Sequence, residues 1–171
     1  MGGVTMRYLL QNVMMVLAIL VTCSISFSSQ TSFDNHLSLN GVTKAYVYFD
    51  ISLKEDELLV FRMNLLDRTI REMNEAGLEV TAVIGFRGGA SRFITKDDHY
   101  VLEEEVENKK KIQDWIKRFS SQGITIEQCA IAAEINDIPV DDFLSEVKIV
   151  GNGYISLVGY QAQGYSVVPM D

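Results

Sequence analysis

The sequence predicts a three-layer α/β domain: a mostly parallel, five-stranded sheet with helices on both faces. Three observations carry that expectation. Short runs that are apolar nearly throughout alternate with longer helical segments, as strands covered on both faces do. Glycines close the longer helical segments, at Gly77, Gly123 and Gly164. The 171 residues, 47% hydrophobic and 22% charged, suffice for one compact core without disulfide or metal staples.

Ala45 to Ile51 is aromatic and apolar nearly throughout and reads as the first buried strand. From Glu55 onward, Leu59, Met63, Leu66, Ile70 and Met73 recur at alternating steps of four and three, one stripe of an amphipathic helix ending at Gly77. Val80 to Phe86 is the second strand, followed by Arg87-Gly88-Gly89 and a short helical segment from Ser91 to Thr95. The charged stretch from Lys96 to Lys111 opens a third helix, with Ile112, Trp115 or Ile116, and Phe119 as its inner face. Glu103-Glu104-Glu105 and Lys109-Lys110-Lys111 on it read as a solvated, mutually paired surface, and His99 as a solvated residue. Ile124 to Gln128 is a short strand, and Cys129 starts a helix running to about Asn136. Ile138 to Asp142 restarts a helical turn, and Val147 to Val150 is the fourth strand. A helix to Gln163 follows with Asn152 as its cap, and Tyr165 to Val168 is the last strand.

Residues 1 to 30 are different in kind, with Arg7 as their only charge, an apolar run from Val13 to Val21, and a small-residue exit near Ser26-Phe27-Ser28. This is the layout of a secretory signal, and the apolar run falls short of the roughly 20 residues a spanning helix needs. Residues 1–28 therefore read as a signal peptide, with an N-terminal anchor or lipidation at Cys23 as alternatives. Residues 29–42, rich in Ser, Thr and Asn without a period, read as a linker, and 43–171 as the domain. The expected location is periplasmic or otherwise exported.

A net charge of -8, from 15 basic and 23 acidic residues, excludes a basic nucleic-acid binder. With two histidines and two cysteines far apart, no metal-ligand cluster can be read off, and no cofactor is expected. Signal removal would take Cys23 with it, leaving Cys129 as the only thiol and no intramolecular disulfide.

In an open parallel sheet, sites collect outside the carboxyl ends of the strands, where loops and helix N-termini converge. Cys129 stands at such an exit. Unpaired N–H groups of the helix it starts would stabilise a thiolate; the competing reading is a buried cysteine acting as a small hydrophobe. Glu127 would oppose that activation if it lay close to the sulfur. Arg87 with Gly88 and Gly89 resembles an anion cradle, with a mere tight turn as the alternative, because the spacing is neither a P-loop nor G-x-G-x-x-G. Asp50 is a possible proton acceptor near the same edge, or a turn residue. Asn152 lies on the corresponding exit of the fourth strand.

Together these segments resemble the DsrE/DsrF-like family, in particular its small exported members. The resemblance runs from about Thr43 to Asp171 and rests on motifs in order. They are the first strand to Asp50, Leu65-Leu66-Asp67, Val83 to Gly88, Gly123 to Cys129, Ile138 to Leu144, Val147 to Gly151, and Gln163-Gly164-Tyr165. It implies a doubly wound, flavodoxin-like fold, assembly into homo-oligomers such as trimers or hexamers, and a link to sulfur relay. Cys129 matches the cysteine that would carry a persulfide, between a small sulfur donor and the thiol of an acceptor protein. Where many relatives have a histidine, this chain has Arg87.

Two functions follow as expectations. In the first, the chain is a sulfur carrier or sulfurtransferase acting through Cys129, with Arg87, Gly88, Gly89, Asp50 and Asn152 around the donor. In the second it is a non-catalytic oligomeric binding module with a structural cysteine. A nucleotide- or flavin-binding reading rests on fold analogy alone and lacks a phosphate loop.

Overall fold

The structure is a computed structural model that describes residues 34–171. The expected export segment lies outside the described residues. The chain divides into a unit ending at Asn40 and a second spanning Gly41–Asp171. In the first, within the stretch expected to be a linker, His36–Leu39 forms a single helical turn with no buried residue.

The second unit holds five strands: β1 (Lys44–Ile51), β2 (Glu79–Phe86), β3 (Thr125–Cys129), β4 (Lys148–Val150) and β5 (Ser166–Pro169). They form one sheet in the order β4-β3-β2-β1-β5, and every pairing is parallel. The expected three-layer architecture is what the chain adopts. Its helices are α1 (Asp56–Glu75), α2 (Val106–Ser121), α3 (Ala130–Ile135) and α4 (Gly153–Ala162).

Strand alternation divides the sheet into two unlike faces. One presents Phe49, Ile51, Ile84, Phe86 and Ile126 to the core. There α1 buries Leu59, Met63 and Leu66, and α2 buries Ile112, Ile116 and Phe119, with Trp115 only partly buried. Gly77, at φ +88, turns the chain out of α1 in the left-handed region that glycine enters without strain. The opposite face carries Tyr48, Asp50, Gly85, Glu127 and Cys129, and α4 lies across it, touching β1, β2, β3 and β5. No residue of α4 joins the hydrophobic core cluster.

The charged stretch before α2 differs from its expected form. Two single 3-10 turns, Asp98–Tyr100 and Glu103–Glu105, precede the helix, which begins at Val106. Glu105 is buried: it accepts from Arg92 Nη2 at 2.9 Å and from the Leu102 N–H at 2.8 Å. Lys109 is fully buried, donating to the Asp97 carbonyl and lying 3.4 Å from Asp98 Oδ1. Burial lowers the Lys109 pKa from its ordinary range, and the bond to Asp98 opposes that shift. These two charges are therefore ties that hold residues 92–105 against α2, while Glu103, Glu104 and Lys110 stay exposed.

Candidate functional site

Cys129 ends β3 and is the residue before α3, whose six residues give it no side-chain capping bond. Its sulfur turns to a different helix. Sγ accepts the N–H of Gly153, the first residue of the ten-residue α4, at 3.2 Å. Asn152 Oδ1 accepts the next amide, that of Tyr154, at 2.9 Å. Sulfur and cap thus share the first two of the four amides that a helix start leaves without partners. Gly153 makes this approach comfortable: a Cβ there would lie 3.1 Å from Cys129 Cβ, a tight contact, and 3.6 Å from Sγ. The thiol is in no disulfide and the residue is 5% exposed.

Glu127, two residues earlier, points to the same side of the sheet. Its carboxylate is buried and accepts from Ser156 Oγ at 2.7 Å and Tyr160 Oη at 2.8 Å. Burial, reinforced by this bond, pushes the Tyr160 hydroxyl up to about 12. Tyr48 packs on Tyr160, with ring centroids 5.4 Å apart, and is raised further by burial and by the charges of Glu127 and Asp50.

Arg87 does not stand open as an anion cradle. Its Nε and Nη2 donate to the two oxygens of Asp50 at 2.8 and 2.7 Å, a bidentate pair joining β1 to β2. That bond keeps the Arg87 pKa above its ordinary value despite partial burial. The remaining nitrogen, Nη1, lies 3.4 Å from Tyr154 Oη, and the guanidinium sits 5.0 Å from the Tyr154 ring centroid. Gly88, at φ +58, and Gly89 open a 3-10 helix, Gly88–Ile94, packed on the loop after β1. A Cβ at Gly89 would come within 3.0 Å of Lys54 Cα, so close packing accounts for the glycine there.

The structure therefore gathers Asp50, Arg87, Cys129 and Asn152 at the carboxyl edge around the first turn of α4, and engages each of them within the fold. His99 is exposed and rests against Tyr100. Gly153 follows Asn152 at the exit of the fourth strand, a place the sequence marks for a site, whereas nothing there singles out Ser156 and Tyr160; the signal for them is that 153, 156 and 160 share one side of a helix. Among the described residues no group of three His, Cys, Asp or Glu side chains is placed to hold a metal ion. A cleft of about 750 Å³ opens at the opposite end of the sheet, floored by Ile70, Val80, Ala82 and Ile124. Its lining holds no Ser, Thr, Cys, His or Lys, and its Arg71 lies between Asp67 and Glu75.

The neutral-tyrosine network makes a pH prediction. Tyr100, which donates to Asp142, and Tyr160 each have pKa values raised from 10.0 to about 12. Their stabilisation is fully present below pH 10 and is lost as pH rises toward 12, because the unfolded chain ionises first. Urea denaturation at stepped pH should show stability falling across that window, and falling less steeply in Tyr160→Phe. An unchanged slope would refute the assignment.

A parallel α/β domain with one buried thiol held at a helix start is the class these features define. A family model matches residues 52–170, and the chain belongs to the DsrE/DsrF-like family. Among solved structures it is similar to a protein of unknown function, MTH1491, from Methanobacterium thermoautotrophicum. The two share 18% sequence identity and a TM-score of 0.51, over 74% of this chain and 98% of that one. That likeness concerns the fold. No curated protein matches the chain. Family membership connects the chain with sulfur relay, in which members work with partner proteins.

Proposed function

We propose that this protein is an exported sulfur carrier that holds sulfane sulfur as a persulfide on Cys129. The Cys129 thiol loses its proton to solvent, and the thiolate attacks the outer sulfur of a polysulfide or thiosulfate. One S–S bond forms, the donor's S–S bond breaks, and the shortened polysulfide or sulfite leaves with the electron pair. An acceptor protein's thiolate then attacks the outer sulfur, and Cys129 leaves as thiolate. The observation that carries this reading is the Gly153 N–H at 3.2 Å from Sγ, since an amide at a helix start stabilises negative charge on the sulfur.

Export rests on residues 1–28 as a signal, with 29–42 as linker and 43–171 as the working domain. Assembly into a homo-oligomer is supported by Ile131 and Ile135, exposed side chains one turn apart on α3. A second reading, a binding module with an inert cysteine, is favoured by the burial of Cys129 and the closed Asp50–Arg87 pair. One experiment separates them: incubation with polysulfide or thiosulfate, then mass analysis of the peptide containing Cys129. The wild-type peptide should gain the mass of sulfur, and Cys129→Ser should not. No gain in the wild type removes the carrier reading.

A further inference from the structure

We propose that α4 is a lid over Cys129 and that Glu127 is its latch, a positioning residue that governs access to the sulfur. The proposal rests on Cys129 as the sulfur-bearing residue and concerns how that atom is reached. The first turn of α4 lies against Sγ: the Gly153 amide is 3.2 Å from it, and Cys129 is buried. A donor S–S bond must approach the sulfur closely and in line, so loading needs Gly153 to move.

The attachments of α4 suit such movement. Where α1 and α2 are rooted in the core, α4 contributes nothing to it and turns Ile155 and Val158 outward, 70% and 64% exposed. What holds it is largely polar: two hydroxyl bonds to Glu127, the Arg87–Tyr154 contact, and the Tyr48–Tyr160 packing. A helix held by a few such local ties, without a place in the core, opens more readily than one rooted there. Latch and sulfur sit two residues apart on the same rigid strand, and Gly153, Ser156 and Tyr160 follow one side of the helix. Releasing the hydroxyls from Glu127 therefore frees the turn that covers Sγ.

The test measures how fast the full chain reacts with an aromatic disulfide reagent, read on the Cys129 peptide so that Cys23 does not contribute. Ser156→Ala/Tyr160→Phe should react at least about tenfold faster than wild type, the loss of two hydrogen bonds. Glu127→Gln, which keeps the shape and one acceptor oxygen, should fall between them. Hydrogen exchange should show faster exchange in α4 of the double variant and unchanged protection in β1 and α1. Equal reaction rates overturn the proposal, and so does protection lost throughout the sheet, because the thiol would then be reached by unfolding. Polysulfide loading on the same variants separates this idea from the carrier reading. Faster labelling with no sulfur gained by any variant upholds the lid and refutes the carrier. Sulfur gained by wild type at the double variant's rate refutes the lid and leaves the carrier standing.

Discussion

Gly85→Ala is expected to destabilise the domain by about 3 kcal/mol, the upper part of the range for overpacking a filled interior. The ring of Tyr48 lies directly across Gly85, and an added Cβ would overlap its Oη and Cζ. Neither partner has room to yield: Tyr48 is 2% exposed, paired in register with Val83 and Val167, and pressed on Tyr160. Equilibrium urea unfolding would read the loss. A second substitution, Tyr48→Val, makes space at the same spot, so the double variant should regain part of the stability, which a cycle of the four proteins quantifies. A Gly85→Ala protein within about 0.5 kcal/mol of wild type would show that the ring does not occupy this place.

The second large effect belongs to Asp50. Asp50→Ala leaves Arg87 with a part-buried charge and no carboxylate, and breaking one side of such a pair costs about 3 kcal/mol. The loss exceeds what exposed pairs such as Arg68–Glu72 would show, because those side chains are mostly in water. Replacing both partners, as Asp50→Leu/Arg87→Met, should recover most of it, since the uncompensated charge goes too. If the single variant loses less than about 1 kcal/mol, the pair is not the tie between β1 and β2 that its geometry suggests.

Much of the architecture was legible because local chemistry decides it. Strands covered on both faces are apolar nearly throughout, as Val83 to Phe86 are and as Val47 to Ile51 are apart from Asp50. The stripe from Leu59 to Met73 marks α1, though its burial fades past Leu66, where Ile70 and Met73 are only partly covered. The position of Cys129 at a strand exit and the capping role of Asn152 were also readable. Contacts made across long separations were not. Nothing local says that the sulfur turns from its own helix to Gly153, 24 residues on, or that Arg87 is taken up by Asp50, 37 residues back. The buried Lys109 and Glu105 look like their exposed neighbours in sequence, since only the fold of residues 92–105 supplies their partners.

The order of the strands has a consequence for the life of the thiol. After β4 reaches one edge of the sheet, the chain must recross the whole face through α4 to pair Val47 with Ser166 at the other. Closing so long a loop costs entropy that the edge pairing and the packing of α4 must offset. The segment that completes the sheet is also the one that shelters Cys129. Completion of the sheet and shelter of the sulfur thus depend on one and the same C-terminal segment, β5 for the edge pairing and Gly153 for the contact with Sγ.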